Sequence, residues 1–273
     1  MILDTHVHII TMKVDPAGAL AAMRKAGIDG GVLLSMPPAM FKMWESPSDP
    51  KERLENVMQW VQGQKNLFPF FWIDPTEDDA LGQVELAVKR GVAGFKIICS
   101  GYFPSDERVV KVCTAIAQAG KPILFHSGIL WDGLPSSKYN RPAEFEALMQ
   151  IDGLRFALAH MSWPWVDECL AVFGKIAHAR NAKCQMFIDM TPGTPTIYRK
   201  EALTKLFTIG YKVADNVLFG TDGRVPEYNS EWPRTWIDRD NAIYDELGLD
   251  QEQREKIYCK NLLRFIGTAE NKG

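Results

Sequence analysis

The sequence is poor in cysteine and lacks any long apolar run. Its five cysteines form no C-x-x-C pair and are odd in number, which argues against a disulfide framework or a thiolate zinc site. No segment approaches the roughly 20 apolar residues of a membrane span. The first residues also lack the basic and apolar regions of a signal peptide. We therefore expect a cytoplasmic protein with buried free thiols and no membrane association.

An excess of charge of one sign is also missing, since the net charge is −3. A nucleic-acid-binding surface would need clustered Lys and Arg, so we expect no nucleic-acid partner. No Gly-rich fingerprint follows the first apolar run, so a dinucleotide-binding fold has no support. With 273 residues, of which 46 % are hydrophobic, the chain is long enough for one (β/α)₈ barrel of about 250 residues. We expect a single domain over residues 1–273.

Eight short runs rich in Val, Ile, Leu and Phe alternate with amphipathic stretches. The apolar runs indicate buried parallel strands, which we place at 2–8, 30–35, 67–73, 92–98, 121–126, 154–160, 184–189 and 216–222. The amphipathic stretches predict helices at 16–27, 50–65, 77–90, 105–119, 142–150, 165–180, 196–210, 231–247 and 250–260. The ends of the first and last strands are separated by seven repeats of about 31 residues, close to a βα unit of roughly 30.

This pattern predicts a parallel sheet with helices between its strands. An open doubly wound sheet is the alternative, but the count of eight strands favours a closed barrel. Short loops are expected after the first two strands, which would leave the barrel mouth open. Helix start signals include Asp15-Pro16, the acidic run from Ser105 to Glu107, and the acidic stretch 76–79.

The histidines are concentrated at predicted strand ends, where four of the five lie. His6 and His8 lie on one strand two positions apart, so their side chains point to the same side and their Cα atoms are about 6.6–7 Å apart. His126 and His160 end the fifth and sixth strands, and Asp222 ends the eighth. Because parallel strands of a barrel share their polarity, we expect these five residues to meet at one mouth.

Imidazoles and a carboxylate buried together without a partner would be costly, and a cation removes that cost. A set of His and carboxylate ligands with an open position suits one divalent catalytic ion. Zn²⁺ is the ion that we expect, with Mn²⁺, Fe²⁺ and Co²⁺ as alternatives.

The same segments resemble the amidohydrolase superfamily, in particular its amidohydrolase-related (amidohydrolase 2) branch of metal-dependent TIM-barrel hydrolases. The similarity rests on D-T-H-V-H, G-V-A-G-F-K, F-H-S-G, A-H-M-S-W-P-W and F-G-T-D in this order, together with the closing K-N-L-L-R-F, and extends from residue 2 to about 266. The resemblance implies metal ligation by His6, His8, His126 and Asp222. It also implies that His160 is an acid, base or electrophile beside the metal, and that Asp222 orients the attacking water and takes its proton.

Two cationic residues are candidates for substrate binding. Lys96 ends the fourth strand, where binuclear relatives carry a carbamylated lysine that bridges two metals; a cation that binds a substrate carboxylate and an ion pair are the alternatives. Arg224 follows Asp222 by two positions and suits bidentate carboxylate recognition, with a surface ion pair as its alternative.

Further residues near the strand ends have less specific interpretations. Asp4 and Asp189 are expected to be buried supporting carboxylates, although Asp189 could also be a helix cap. His178, on a predicted helix, is expected at the surface. The aromatic residues of the strand-end loops line a pocket or pack the loops onto the barrel; they are Tyr102, Trp131, Tyr139, Trp163 and Trp165, of which Trp131 and Trp163 are our candidates for substrate contact.

Three functions are compatible with these residues. The first is hydrolysis of a lactone, cyclic amide or related carbonyl substrate by a metal-activated water. The second is decarboxylation or hydration of an unsaturated or aromatic carboxylic acid, and the third is ligand binding without chemistry. Short loops at the mouth favour hydrolysis, and a binding module needs no water-activating set. We expect a small-molecule carbonyl or carboxylate partner, and a homodimer is one assembly compatible with the sequence.

Overall fold

The structure is a computed structural model and describes residues 1–41, 44 and 46–268. The strands are β1 (Leu3–Ile9), β2 (Gly30–Leu34), β3 (Leu67–Trp72), β4 (Gly94–Ile97), β5 (Ile123–Phe125), β6 (Arg155–Leu158), β7 (Gln185–Asp189), β8 (Val217–Leu218) and β9 (Gly223–Val225). The α-helices are α1 (Pro16–Lys25), α2 (Pro50–Val61), α3 (Ala80–Arg90), α4 (Glu107–Gln118), α5 (Val166–His178), α6 (Thr196–Thr208), α7 (Glu231–Leu247), α8 (Gln251–Glu255) and α9 (Asn261–Ile266).

All strands run parallel in one sheet of order β8-β7-β6-β5-β4-β3-β2-β1-β9. Strands β8 and β9 are the two halves of the eighth barrel strand, interrupted at residues 219–222. The Leu218 carbonyl accepts a hydrogen bond from Met190 N at 2.9 Å, just after β7, and the Phe219 carbonyl accepts one from Thr5 N of β1 at 2.9 Å. The eighth strand therefore contacts both edges of the sheet, and the predicted (β/α)₈ barrel is confirmed.

Alternation along the strands separates the interior of the barrel from the face under the helices. Along β3, β5 and β7, apolar side chains in the lower interior are followed two positions later by residues at the mouth. The lower layer contains Phe70, Leu124 and Phe187, while the mouth receives Trp72, His126 and Asp189. Helix α9 closes the opposite end, where Phe265 lies 4.9 Å from the Phe187 ring, centroid to centroid. Burial of such a side chain contributes about 1.5–3 kcal/mol to folding.

Several predicted boundaries differ from the structure. The helix predicted from residue 77 begins at Ala80, because Thr76 donates both its N–H and its hydroxyl to Asp74 and keeps this acidic stretch in a turn. The helix predicted at 142–150 is instead a 3₁₀ segment, Pro142–Leu148. The last predicted helix divides into α8 and a π-helical turn, Lys256–Lys260. By contrast, Asp15 and Asp106 cap α1 and α4 as expected.

The loop between β2 and α2 was predicted to be short, and this was wrong. It covers residues 35–49, of which 35–41, 44 and 46–49 are described, and it brings Phe41 and Trp44 to the mouth of the barrel. Within the described part of the chain, no helix combines the length and the apolar character needed to span a bilayer.

Candidate metal centre and active site

The carboxyl ends of the strands surround a cavity of about 340 Å³. All nine residues singled out from the sequence as ligands, catalytic groups or substrate contacts line it, namely His6, His8, Lys96, His126, Trp131, His160, Trp163, Asp222 and Arg224. These residues come from the ends of five different barrel strands, so the parallel polarity of the barrel brings them together. The cavity is at the small end of the range for ligand sites.

Three of these residues have the geometry of a metal centre. The Nε2 atoms of His6 and His8 lie 3.8 and 3.3 Å from Asp222 Oδ1, and one donor atom from each of the three residues lies within 4.8 Å of the others. Two donors at about 2.0–2.2 Å from one tetrahedral ion are about 3.4 Å apart. The observed separations therefore fit a shared divalent ion with little movement of the side chains.

His126 and His160 lie beside this group without belonging to it. The ring centroid of His160 is 5.3 Å from that of His6 and 5.0 Å from that of His126. His126 Nε2 donates to the Ile129 carbonyl at 3.2 Å, which leaves Nδ1 as its free lone pair. Metal ligation by His126, which the family resemblance implies, therefore stays a prediction.

Burial controls the protonation of these imidazoles. Burial lowers the pKa of His6, and the Lys96 ammonium lowers it further. Burial likewise lowers the pKa of His126, with His160 as the next cause, and the pKa of His160. These three rings are therefore neutral at physiological pH and keep the lone pair that a metal or a proton requires.

The Asp222 carboxylate keeps its charge. Enclosure of this group raises its pKa, but the hydrogen bond from His8 and the adjacent imidazoles outweigh that effect and place the pKa well below the usual value. Its side chain is 41 % exposed, toward the cavity. A charged carboxylate that faces the cavity can ligate an ion and accept a proton.

His6 is oriented by a carboxylate behind it, as expected for a metal ligand. Its Nδ1–H donates to Asp189 Oδ2 at 2.8 Å, which leaves Nε2 free toward the cavity. The other oxygen, Asp189 Oδ1, accepts from Thr191 N at 2.8 Å and from the Thr191 hydroxyl. Of the two interpretations of Asp189, the structure therefore favours the supporting carboxylate. In the sequence, only the position of Thr191 just after β7 could have indicated that it supports the site.

We expect Asp189→Asn to weaken metal binding by about 10–100-fold, the usual effect of losing a group that orients a ligand. Both oxygens of Asp189 accept hydrogen bonds, one from His6 and one from Thr191. An asparagine has only one oxygen, so its NH₂ group would face one of these two donors and that hydrogen bond would be lost. Zinc affinity measured by competition with a chromophoric chelator tests this. Asp238→Asn, at an exposed position on α7, is the control. An unchanged affinity would contradict this role for Asp189.

His160 belongs to an unusual backbone segment. His160, Met161 and Ser162 all have left-handed backbone angles, with φ of 61°, 47° and 57°. Each such residue costs of order 1–3 kcal/mol and is found where surrounding structure imposes it. Gly193 packs against this turn, since a Cβ there would lie 2.6 Å from the His160 Cβ. The sequence prediction had instead continued the sixth strand to residue 160.

Lys96 and Arg224 are two unpaired cations that line the cavity. Lys96 is fully buried, and its Nζ has no hydrogen-bond partner among the described residues. Burial lowers the pKa of Lys96 to about 8, although Asp189 and Asp222 act in the opposite direction. The exposed Arg224 places its guanidinium carbon 5.9 Å from the centroid of the Trp44 ring. Neither cation pairs with a carboxylate in the described parts of the chain.

The aromatic candidates divide between the two roles that the sequence allowed. Trp131 and Trp163 line the cavity. The other three pack loops: Tyr102 donates to the Ile98 carbonyl, Tyr139 packs against Phe103, and Trp165 lies under Arg141. Two aromatic residues of the cavity were missed, Trp44 and Trp72, whose ring centroids lie 5.4 and 5.7 Å from that of His8. Alternation along β3 could have identified Trp72, whereas Trp44 lies in the loop that was expected to be short.

Asp4 and His178 were predicted to be a supporting carboxylate and a surface histidine. Asp4 is buried and accepts hydrogen bonds from His6 N and Thr221 N, both at 3.0 Å, so it supports the site from behind. Burial raises the pKa of Asp4 to about 7, against the effect of its hydrogen bonds. His178 is exposed at the end of α5 and packs on Tyr211.

The protein is similar in fold to a 2,6-dihydroxybenzoate decarboxylase in complex with 2,6-dihydroxybenzoate (TM-score 0.65, 15 % identity, 98 % of this chain and 99 % of that chain covered). It is also similar to a zinc-bound amidohydrolase from Burkholderia multivorans (0.66, 11 %, 97 % and 99 %). A probable 2-pyrone-4,6-dicarboxylic acid hydrolase from Acinetobacter baumannii with bound citric acid is a third (0.59, 12 %, 97 % and 99 %).

No curated protein matches the sequence. At these identities the structural similarities establish the barrel fold and no more. The family itself is shown by a model described as Amidohydrolase, which matches residues 3–268. This agrees with the resemblance that the strand-end motifs indicated. The members of this superfamily are enzymes, hydrolases and decarboxylases among them, that act on small molecules and are generally metal-dependent. The chain belongs to the amidohydrolase family.

Proposed function

We propose that this protein is a metal-dependent hydrolase that opens a small carbonyl substrate such as a lactone or a cyclic amide. The observation that carries this proposal is the convergence of His6, His8 and Asp222 on one cavity at the barrel mouth. A divalent ion held by these donors supplies Lewis-acid activation of water and of the substrate carbonyl. Zinc suits two imidazoles and one carboxylate, and we retain Mn²⁺, Fe²⁺ and Co²⁺ as alternatives.

The side chains around these donors have separate tasks in this proposal. Asp222 accepts a proton from the attacking water and passes it to the leaving group, because its low pKa keeps it charged and its side chain faces the cavity. The neutral His160 donates a hydrogen bond to the substrate carbonyl oxygen and stabilises the charge that develops there. We retain His126 as a further ligand; ligation through its Nε2 requires that it give up the hydrogen bond to the Ile129 carbonyl.

Substrate recognition is assigned to the cations and indoles of the cavity. An unpaired, fully buried ammonium is costly, and an anionic group on the substrate would remove that cost at Lys96. Arg224 supplies a second cation nearer the solvent. Trp131 and Trp163 contribute flat apolar surface to the lining of this space. We therefore expect a carbonyl substrate that also carries a carboxylate.

Decarboxylation of an unsaturated or aromatic carboxylic acid is the second candidate. The indoles of Trp44 and Trp72 lie on the His8 side of the cavity and form a surface that suits a planar ring. The loop that carries Trp44 is long, which removes the sequence-based argument for hydrolysis from short loops. One of the similar structures is an aromatic acid decarboxylase. Both candidates use the same metal donors and differ in the bond that breaks.

A substrate screen on zinc-loaded protein separates these functions. Lactones, cyclic amides, unsaturated carboxylates and aromatic carboxylates are incubated with the enzyme, and the products are identified by mass spectrometry. We expect products that have gained one water from members of the first two classes, formed about 10²–10⁴-fold more slowly by the Asp222→Asn protein. Products that have lost CO₂ would establish decarboxylation instead. Tight zinc binding without turnover of any class would favour a binding protein.

Location and assembly are further parts of the proposal. All five cysteines are free and buried in the structure, which supports a reducing compartment such as the cytoplasm. A homodimer is the assembly that we propose, and sedimentation velocity over a range of protein concentrations measures it directly.

A further inference from the structure

The backbone of Asp222 is held by residues that the proposed chemistry does not use. Asp222 has φ of 57°, a left-handed conformation that L-residues adopt only when neighbouring structure imposes it. It lies in the interruption between β8 and β9, so no regular ladder fixes it. The residues on either side of it, Thr221 and Gly223, must therefore determine where its carboxylate points.

Thr221 is fixed through all three of its polar groups. Its N–H donates to Asp4 Oδ1 at 3.0 Å, and its hydroxyl donates to Asp4 Oδ2. Its carbonyl accepts a hydrogen bond from the indole N–H of Trp232 at 2.9 Å. The residue before Asp222 is thus attached to β1 on one side and to α7 on the other.

Gly223 is fixed by contact and by pairing. A Cβ at this position would lie 2.6 Å from Cε2 of Tyr228, so the tyrosine ring packs directly on the glycine backbone. Gly223 N also donates to the Thr221 hydroxyl at 3.2 Å, and Gly223 pairs with Val7 of β1. The hydroxyl of Tyr228 donates to Asp4 Oδ2 at 2.9 Å. Tyr228 therefore contacts the chain just after Asp222 and also the carboxylate that holds the chain just before it.

Asp4 connects this arrangement to the histidine ligands. Its buried carboxylate accepts from Thr221 and Tyr228 and also from the backbone N–H of His6 at 3.0 Å. One carboxylate thus sets the position of the His6 backbone relative to the segment that carries Asp222. Rotation of Tyr228 away from Asp4 would release that carboxylate from one of its donors and free the Gly223 backbone.

We propose that Tyr228 and Trp232 are positioning residues that act through Asp4 and Thr221 to hold the Asp222 carboxylate at metal-binding distance from His6 and His8. This inference rests on the proposed metal-dependent function. It assigns a task to two residues outside the ligand set, one of them buried and one partly exposed, and predicts that their effect on the metal depends on Asp222.

A double-mutant cycle on Co²⁺ affinity tests the proposal, because coupling between two positions appears as non-additivity. Four full-length proteins are titrated with Co²⁺ and followed by its visible absorption: wild type, Tyr228→Phe, Asp222→Asn and the double variant. We expect Tyr228→Phe to weaken Co²⁺ binding by about 10-fold in the wild-type background, in the range for groups that orient a ligand. In the Asp222→Asn background the same change should alter the affinity by less than about twofold.

Two further variants complete the experiment. Tyr258→Phe is the matched control, because Tyr258 is also buried and its hydroxyl also bonds a neighbouring side chain, that of Asn241, at 3.1 Å. It should leave Co²⁺ affinity within about twofold of wild type. Trp232→Phe removes the indole donor of a residue that is 44 % exposed, and should weaken Co²⁺ binding in the wild-type background as Tyr228→Phe does.

The outcomes separate this inference from the function on which it rests. Equal weakening by Tyr228→Phe in both backgrounds would show a general structural role and overturn the inference, as would the absence of any effect in the wild-type background. Failure of the wild-type protein itself to bind Co²⁺ or Zn²⁺ would instead overturn the proposed function. A Co²⁺ spectrum that changes with Tyr228→Phe only when Asp222 is present would support the inference independently of affinity.

Discussion

Replacement of His6 by alanine is expected to lower zinc affinity by more than about 100-fold. Loss of a group that merely orients a ligand costs about 10–100-fold, and loss of the ligand itself must exceed that. His6 contributes one of the three donors that lie within 4.8 Å of one another among the described residues. Metal content after dialysis, with zinc affinity from chelator competition, measures the effect. His178→Ala, at an exposed histidine, should retain wild-type zinc content.

His6→Ala also leaves the Asp189 carboxylate without the imidazole that it holds at 2.8 Å, and a loss of stability could then mimic a loss of metal. His8→Ala reduces this ambiguity, because His8 Nδ1 has no hydrogen-bond partner in the described structure and the Asp222 carboxylate near its Nε2 is open to the cavity. We expect the same loss of zinc from both variants. Full zinc content in a folded His8→Ala protein would contradict the proposal that His6, His8 and Asp222 bind the metal.

Much of this fold could be predicted because the barrel repeats a simple rule. Apolar runs at a regular spacing identify parallel strands, and the shared polarity of those strands places residues such as His126 and Asp222 at one mouth although 96 positions separate them. Alternation along a strand then predicts which side chains enter the interior. The family resemblance added roles for these residues but was not needed to place them together.

Other parts of the site depend on interactions that no local pattern contains. The left-handed turn at His160 packs against Gly193, which is 33 positions away in sequence. The interruption of the eighth strand depends on Asp4, at the other end of the chain. The Trp44 ring packs near His8 and Arg224, which are far from it in sequence. Such contacts are tertiary, so composition and periodicity predict neither their existence nor their geometry.

Turnover is expected to depend most strongly on Asp222. Asp222→Asn keeps the shape of the side chain and one oxygen that can approach the metal, but it removes the group that takes the proton from water. General bases contribute about 10²–10⁴-fold to rate, and we expect a loss of that order in kcat with a substrate from the proposed screen. Zinc content should fall less than in His6→Ala, because the amide oxygen can still ligate.

The control for this experiment is Asp215→Asn, a carboxylate outside the cavity whose only described partner is Lys256; its kcat should equal that of the wild type. His160→Asn should also lower kcat, since a neutral donor beside the carbonyl would be lost. Wild-type turnover by a zinc-loaded Asp222→Asn protein would show that another group accepts the proton. That group would be His160, whose Nδ1 has no partner in the described structure, and not Asp189, because both oxygens of Asp189 already accept hydrogen bonds from His6 and Thr191.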